Sequence, residues 1–510
     1  MTGVQTCALP IYAIRVFIRE FHITGNTVIP TEELKKVAAP FENRYVTNNE
    51  LEELRKRLTM LYINRGYRNS GAVIPDQKVV DDTIEIRIIE GKLERIEIEG
   101  TKRFKPKYFT SRLQLGAGPP LNVRNLESEL QMLLQDPLVE QIQAQLLPGD
   151  EPGEAVLKAN VKEARPWDFG VVLDNKIPPS LGEARLLVQG ELRNLARRGD
   201  ILLMELEGAE GIDGNFKFRY RLPITPKDLA LNVYYENGES DVIEEPFDEL
   251  DIETKLETYG IQIGQPVIRT PNKQLTLAGL FEHRRTETSL LGQPFSFSPG
   301  VQDGDATVSV LRFIQDWVSR SANQVISARS TISVGIDCCG ATINSGKLPD
   351  SKFTSWIPQF QWVRRFGKRG HQLYFRIDGQ MASTALLPIE KFTVGGLDSV
   401  RGYRANQLVR DEGWTTSLQY QLPIFRNPVG KRNLQFAAFV DQGAARDKDG
   451  PNPDPSELTG VGVGFIWNPS PKLQMEFYYA DPQDDVPKGG EHSLQDSAYY
   501  FRIVGRPFHK

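Results

Sequence analysis

Long apolar runs, cysteine and strong net charge are all scarce in this sequence. No stretch approaches the roughly 18–20 apolar residues that a membrane-spanning helix needs, so a helical membrane protein is excluded. Three cysteines cannot build a disulfide framework, and sparse cysteine suits an oxidising compartment such as the periplasm. The net charge of −5 and the lack of any basic run give no indication of nucleic-acid binding.

What remains is compatible with a chain of several domains. At 510 residues the protein is expected to hold two to four folding units. Its content of 40% hydrophobic and 25% charged residues is ordinary for globular proteins. The strands of a membrane β-barrel alternate apolar and polar residues and therefore have the average hydropathy of a soluble protein. The composition is therefore compatible with a membrane β-barrel.

The first twelve residues are expected to be non-native. Residues 1–11 lack the basic start and the long apolar stretch of a secretory signal peptide. They resemble the translation of a sequencing-adapter oligonucleotide fused to a truncated reading frame. Residues 1–12, with Cys7, are therefore set aside, and the natural signal peptide is expected to be missing from this sequence.

Residues 13–165 repeat one pattern twice, in modules predicted at 13–91 and 92–165. Alternation at Ile14, Val16 and Ile18 predicts that the first module opens with a strand. A short helix from Thr31, a longer amphipathic helix and two strands follow, and the second module has the same order. The apolar positions of the longer helices are Leu51, Leu54, Leu58, Leu61 and Tyr62 in the first module and Leu121, Leu126, Leu130, Leu133 and Leu134 in the second. Each module is therefore predicted to be β-α-α-β-β.

From residue 166 to residue 510 the pattern is that of strands alone. Segments with period-2 alternation recur between turn clusters, and the length allows about sixteen strands. In the segment 326–336, Ile326, Ile332 and Val334 are predicted to face lipid. A soluble β-sandwich would also alternate. The absence of any helical interlude, the charged polar faces and the aromatics on the apolar faces favour a transmembrane antiparallel barrel, mainly β in class.

Two motifs in the barrel region carry a family resemblance. Gly395-Gly396 precedes Val400-Arg401-Gly402-Tyr403, and some forty residues later come Phe439, Asp441 and Gly443. Both resemble signature motifs of the BamA superfamily of outer-membrane translocators and insertases, and the two modules look like POTRA domains. Two such modules, with Asp174-Asn175 and the segments 190–195 and 219–223, resemble the two-partner-secretion transporters of the hemolysin secretion/activation class.

The resemblance implies an outer-membrane translocator with periplasmic modules that recognise an unfolded exoprotein. It also implies a loop around 395–410 that folds back into the barrel and carries Arg401 at its tip. Arg401 is expected to pair with Asp441 on the barrel wall, shielded but reachable by water, because the planar guanidinium fork matches a carboxylate. The alternatives are a barrel-assembly insertase of the same superfamily and a passive porin or receptor.

An enzyme is the rival class, and the sequence shows no catalytic or cofactor pattern. The five histidines are scattered, at positions 22, 283, 371, 492 and 509. The glycines at 460, 462 and 464 lack the strand-to-helix context of a phosphate cradle, and 447–450 is interpreted as a surface loop. Adjacent Cys338 and Cys339 are expected to point to opposite sides of a strand. The predicted partners are the exoprotein and outer-membrane lipid, with no nucleic acid, nucleotide or metal.

The C-terminal end departs from the family pattern. Family barrels usually finish on an aromatic residue, whereas this chain ends Gly505-Arg506-Pro507-Phe508-His509-Lys510. Because Pro507 cannot donate a ladder hydrogen bond, the last strand is predicted at about 497–504.

Overall fold

The computed structural model describes residues 15–426, 432–487 and 493–508. The segment 1–12, predicted to be non-native, lies outside the described residues. The chain divides into two compact units between Ala164 and Arg165, and each is described by itself.

The first unit consists of two small α/β modules. In chain order its elements are β1 Arg15–Ile18, β2 Glu20–Thr24, α1 Thr31–Ala38, β3 Arg44–Thr47, α2 Asn48–Asn64, β4 Gly71–Val73, β5 Thr83–Ile89, β6 Lys92–Glu99, α3 Lys107–Leu113, α4 Val123–Leu134, β7 Val139–Pro148 and β8 Glu154–Glu163.

The first module packs its longer helix against a three-stranded sheet of order β2-β5-β4. Helix α2 starts at a capping box, in which Thr47 accepts from the backbone of Glu50 while the Glu50 carboxylate accepts from that of Thr47. Its buried stripe lies in one apolar core with the inward side chains of β5. The apolar faces predicted from the helical and strand periodicities therefore pack together in this core.

The strand predicted to open this module is present, but it lies outside the three-stranded sheet. Arg15–Ile18 forms the short strand β1, which pairs with β3, and the first strand of the sheet is β2. Ile18 and Phe21 are both buried although three positions separate them, so a bend at Arg19 interrupts the alternation. One apparent strand thus becomes two.

The second module repeats the sheet arrangement, with strand order β6-β8-β7. In both three-stranded sheets the first strand in chain order runs parallel to the last strand, and the second strand is antiparallel to the last. A positive-φ glycine ends the first strand of each sheet, Gly25 at φ +83° and Gly100 at φ +82°. A Cβ on Gly25 would lie 2.4 Å from the Ile88 carbonyl oxygen, and one on Gly100 would lie 2.5 Å from that of Val161. Both turns therefore require glycine.

A glutamate closes each of these turns. Glu90 accepts from the backbone N–H groups of Thr27 at 2.7 Å and Val28 at 3.1 Å. Glu163 accepts in the same way from the backbones of Lys102, Arg103 and Phe104, at 2.7 to 3.0 Å. Burial acts to raise the pKa of both carboxyls, but the hydrogen bonds outweigh it and hold each pKa below its ordinary value.

Exchanging both glutamates for glutamine should destabilise the first unit at neutral pH. Because both folded-state pKa values are lowered, their stabilisation is present above the unfolded pKa, about 4.3, and is lost as pH falls through the folded pKa. We expect the Glu90→Gln/Glu163→Gln variant to lose roughly 1–2 kcal/mol in the free energy of unfolding at pH 7, and much less at pH 3.

Urea unfolding followed by circular dichroism at 222 nm measures this difference, because the α-helices of the described residues lie in the first unit. Glu97→Gln, which removes only a surface ion pair with Arg95, is the control. A difference from wild type that is equally large at pH 3 and pH 7 would contradict the assignment.

The second unit is built of strands. In chain order they are β9 Trp167–Asp174, β10 Arg185–Arg193, β11 Ile201–Ala209, β12 Ile212–Pro223, β13 Ala230–Asp241, β14 Ile252–Arg269, β15 Lys273–Leu290, β16 Gln293–Pro294, β17 Asp305–Arg320, β18 Gln324–Ile336, β19 Thr354–Phe366, β20 His371–Ala382, β21 Phe392–Val394, β22 Leu408–Arg410, β23 Glu412–Arg426, β24 Arg432–Arg446, β25 Glu457–Ser470, β26 Leu473–Pro482 and β27 Tyr499–Gly505.

These strands form a closed antiparallel barrel. Strand β16 only extends the end of β15, and β21 pairs with β22 apart from the wall, which leaves sixteen wall strands. In β18, Ile332 and Val334 expose 39% and 44% of their surface, whereas the alternating residues Thr331 and Ser333 are buried. The predicted barrel of about sixteen strands is confirmed. No helix in the described part of the chain is long and apolar enough to span a membrane.

The longest connections lie at one end of the barrel, and most of those at the other end are short turns. Those of ten residues or more are the segments 175–184, 242–251, 291–304, which includes β16, 337–353, 383–411, 447–456 and 483–498. The last strand, predicted at 497–504, is observed at Tyr499–Gly505, and Pro507 lies beyond the ladder as expected.

The seam that closes the barrel is short. Strand β27 pairs with β9 over four residues, whereas it pairs with β26 over seven. Beyond the last of these pairs, the Asn175 side chain donates to the Tyr499 carbonyl at 2.9 Å and accepts from the Phe501 N–H at 3.0 Å. One side-chain amide thus continues the ladder where the backbone of β9 ends.

Candidate functional site

The segment 383–411, between β20 and β23, folds into the barrel. Its short hairpin, β21 with β22, leads to a tip at residues 395–407. Gly395 and Gly396 have φ of +117° and +89°, and a Cβ on Gly395 would lie 2.3 Å from the Arg404 carbonyl oxygen. These glycines therefore let the tip fold back on itself.

Arg401 joins this tip to the barrel wall. Its Nε donates to Asp441 Oδ2 at 2.6 Å and its Nη2 to Asp441 Oδ1 at 2.9 Å, which is a two-pronged contact. Its Nη1 donates to Gln419 Oε1 at 2.8 Å, and Ser417 donates to Asp441 at 2.6 Å. Arg401 is only 6% exposed and Asp441 is fully buried. The pair that the sequence predicted is therefore in contact.

The pair is more enclosed than expected. The sequence predicted a shielded pair that water can reach, but no surface of Asp441 is accessible. A polar cavity of about 390 Å³ borders Arg401, together with Lys176, Glu476 and Arg502. The reason is that the wall residues and the tip together surround the carboxylate, which alternation along one strand cannot predict.

Two aromatic rings hold the guanidinium of Arg401. Its central carbon lies 3.3 Å from the ring centre of Phe439 and 4.9 Å from that of Tyr478. Both distances are within the range of cation–π attraction. Phe439 of the second motif thus contacts Arg401 directly, and Tyr478 is a contact that sequence reasoning missed.

Glycines in the wall leave room for the in-folded segment and for the ring of Phe439. A Cβ on Gly460 would lie 1.8 Å from the Arg401 carbonyl oxygen, and one on Gly462 would lie 2.3 Å from the Phe439 ring. Gly443, the last residue of the second motif, faces Val394 of the segment, and a Cβ there would be 2.8 Å from that side chain. The spacing of glycines by two along β25 was the available sequence signal for this close approach.

The other residues of the first motif contact β25 and β27. The Gly402 N–H donates to the Tyr500 hydroxyl at 2.8 Å, and that hydroxyl donates to the Tyr403 carbonyl at 2.7 Å. The Tyr403 hydroxyl donates to the Thr459 carbonyl at 2.8 Å. Val400 is fully buried in an apolar cluster with side chains of the segment and the wall. All four residues of the first motif are thus in contact with the structure around them.

Arg404 connects the tip to two of the long connections. It donates to Asp496 at 2.6 Å and to Glu244 at 2.7 Å. Burial acts to raise the pKa of Asp496, but hydrogen bonds from Arg404 and Ser493 outweigh it and hold that pKa below its ordinary value. The tip is therefore bound to the connections at the end of the barrel as well as to its wall.

The two adjacent cysteines and the segment 447–450 lie in connections between strands. Cys338 and Cys339 lie in the connection after β18, not in a strand, and both are free thiols. The segment 447–450 belongs to a connection, as interpreted, but Asp447 also pairs with Lys391 at 2.7 Å. This connection thus contacts the in-folded segment, for which the sequence gave no signal.

Comparisons with known proteins agree with this architecture. The sequence profile of the haemolysin secretion/activation protein ShlB/FhaC/HecB matches residues 153–466, and that of the ShlB-type POTRA domain matches residues 16–91. The chain is 23% identical to the outer membrane transporter CdiB of Dickeya dadantii, over 88% of this chain and 79% of that protein. It is 22% identical to the heme/hemopexin transporter protein HuxB of Haemophilus influenzae, over 94% of this chain and 85% of that protein.

Solved structures show the same fold. CdiB from Escherichia coli superposes with a TM-score of 0.74 at 18% identity, covering 99% of this chain and 93% of that one. BamA from Haemophilus ducreyi, lacking POTRA domains 1–3, superposes with a TM-score of 0.58 at 13% identity, covering 96% of this chain and 100% of that one. With the profile match over most of the chain, these findings establish that the protein belongs to the ShlB/FhaC/HecB family of haemolysin secretion/activation proteins and is an outer-membrane transporter.

Proposed function

We propose that this transporter receives an unfolded exoprotein at its periplasmic modules and passes it through the barrel to the cell surface. The observation that carries the proposal is the in-folded segment, which a buried Arg401–Asp441 pair fixes to the wall. A segment held in this way occupies part of the lumen, so a passing chain has to displace it. The described arrangement is therefore the resting state.

The relatives support a secreted protein as the cargo. Two of them are named as transporters of hemolysin, ShlB of Serratia marcescens and HpmB of Proteus mirabilis. Their family is one of transporters, and we propose that this chain is not an enzyme and uses no cofactor or nucleotide. Its partners would be the exoprotein and outer-membrane lipid. The Arg401 motif and Asp441 would control passage.

The edge of the second module is a suitable place for an unfolded chain to bind. Strand β7 pairs with β8 on one side, and within residues 15–164 no strand pairs with its other side. Leu146 and Leu147 are exposed near its end. An extended peptide can add to such an edge, with backbone hydrogen bonds giving affinity for many sequences. We therefore assign recognition of the exoprotein to β7.

Photo-crosslinking during secretion tests this assignment. A photoreactive residue in place of Gln143 or Gln145, both exposed on β7, should crosslink to the exoprotein. The same residue in place of Lys56, exposed on α2 of the first module, is the matched control. Equal crosslinking at Lys56, or none at β7 while secretion proceeds, would show that β7 is not the recognition edge.

A further inference from the structure

Cys338 and Cys339 form a pair of neighbouring thiols in the connection 337–353. The Cys339 thiol donates a hydrogen bond to the Cys338 sulfur, with 3.1 Å between the two sulfur atoms. The sequence predicted that the two side chains point to opposite sides, because side chains alternate along an extended strand. That prediction is wrong, since the pair lies in a connection and not in a strand. The two sulfur atoms are therefore in contact.

A tight turn produces this contact. The Ala341 N–H donates to the Cys338 carbonyl at 3.1 Å, which closes the turn 338–341. Cys339 and Gly340, its two central residues, have φ of +60° and +81°. Positive φ at both positions is typical of a type I′ turn, where asparagine and glycine are preferred over a residue such as cysteine. The Ser309 hydroxyl of β17 also donates to the Cys338 carbonyl, at 3.0 Å, so the turn is fixed to the barrel wall.

Both thiols are accessible at the cell surface. The chain passes from the periplasmic modules into β9, so the connection after β9 and the one after every second wall strand beyond it lie at the opposite end of the barrel. The connection 337–353 is one of these. Cys339 is exposed and Cys338 is partly exposed. A dissolved thiol or disulfide can therefore reach the pair.

A disulfide between these two cysteines would be strained. Adjacent Cα atoms are about 3.8 Å apart across a trans peptide bond, whereas ordinary disulfides join Cα atoms about 4.4–6.8 Å apart. Strain makes a disulfide easier to reduce, and strained or exposed disulfides are labile where structural ones resist reduction. A bond at this position is therefore suited to opening and closing, and not to stabilising the fold.

We propose that Cys338 and Cys339 are a redox-active pair, which closes to a disulfide and opens again by exchange with small disulfides and thiols at the cell surface. The thiolate of one cysteine attacks the small disulfide, which forms a mixed disulfide and releases one small thiol. The neighbouring cysteine loses its proton, attacks the sulfur of the first and releases the second small thiol. The chain gives up two electrons and two protons, and the small disulfide gains them. This inference does not depend on the proposed function.

A redox titration of the full-length protein in detergent micelles tests the proposal. Cys7→Ser leaves the pair as the only cysteines of the chain. The protein is equilibrated with mixtures of reduced and oxidised glutathione, alkylated with N-ethylmaleimide and weighed by intact mass spectrometry. The reduced pair gains two maleimides, whereas the disulfide form gains none.

We expect the form without adducts to replace the doubly alkylated form as the fraction of oxidised glutathione rises. Because the bond is strained, half-conversion should need more oxidising conditions than thioredoxin needs in the same buffers. Two maleimides at every ratio, one glutathione on each cysteine, or closure under more reducing conditions than thioredoxin would each overturn the proposal.

Single-cysteine variants are the matched controls. In the same titration Cys338→Ser and Cys339→Ser should each retain one glutathione, since no second thiol is present to displace it. The reduced parent should also bind phenylarsine oxide, whose arsenic bonds two neighbouring sulfur atoms, about 100-fold or more tightly than either variant. Equal binding by the parent and the single variants would show that the two sulfur atoms do not act together, and would overturn the proposal.

Discussion

Replacing Arg401 by alanine should reduce secretion of the exoprotein by about tenfold or more while the barrel still assembles in the outer membrane. The substitution leaves the buried Asp441 with only Ser417 and backbone as donors. An unpaired buried carboxylate costs roughly 3–5 kcal/mol, and release of the tip lets water hydrate it. The wall ladders are untouched, so the cost falls on the docking of the tip. Secreted exoprotein and the amount of heat-modifiable barrel in outer membranes are measured in parallel.

Three further variants test whether Arg401 and Asp441 act as one unit in secretion. Arg401→Lys should rescue secretion only in part, because an ammonium group cannot make the two-pronged contact. Asp441→Ala should resemble Arg401→Ala, and the double variant should be no worse than either single one, as expected for residues that act together. Fully additive losses, or wild-type secretion by Arg401→Ala, would show that the pair is not the functional unit.

Gly460→Ala should be as severe, although it removes no polar group. The added Cβ would lie 1.8 Å from the carbonyl oxygen of Arg401, and a backbone atom cannot turn aside as the end of a flexible side chain can. The tip therefore has to lift from β25, which breaks the contact with Asp441. We expect loss of secretion with normal amounts of assembled barrel.

Gly279→Ala provides the matched control for this variant. Gly279 also lies in a wall strand, β15, and a Cβ there would meet nothing within 4 Å. Secretion assays on the two variants, with outer-membrane levels measured alongside, separate the close approach from a general effect of losing a strand glycine. Normal secretion by Gly460→Ala would mean that the tip need not sit against β25.

Much of the architecture could be predicted because it depends on local periodicity. Alternation along each strand assigns faces, as at Ile332 and Ser333, and a closed barrel follows when such strands continue without helices. The contact between Arg401 and Asp441 required the two motifs as well, because spacing alone does not specify which wall residue a loop tip meets. Their roles in secretion stay predictions.

The contacts of Glu390 in the in-folded segment could not be predicted, since its partners are far away in sequence. Glu390 meets Arg284 and Arg312, more than seventy residues earlier, because closure of the barrel brings β15 and β17 beside the start of the segment. Alternation indicates that both arginines face inward, but not what they face. The same limit applies to Tyr500, whose hydroxyl bonds Gly402.

The bend in the first module could not be predicted for a different reason. Ile14, Val16 and Ile18 alternate as a strand should, yet the pattern carries no information about the bend at Arg19 that follows. Burial of Ile18 and Phe21 on one core resolves it, and burial is a property of the folded chain. Short strands next to a change of direction are therefore the elements that periodicity locates least well.

The seam between β9 and β27 gives the barrel a preferred place to fail. If all sixteen strand pairings of the barrel were equally long, none would be expected to separate before the others. The pairing of β27 with β9 has only four residue pairs. Beyond them it depends on the side-chain amide of Asn175, which can leave its partners by rotating about one side-chain bond. If the lumen widens or the membrane is stretched, β9 and β27 should therefore separate first, and the other strand pairings should stay intact.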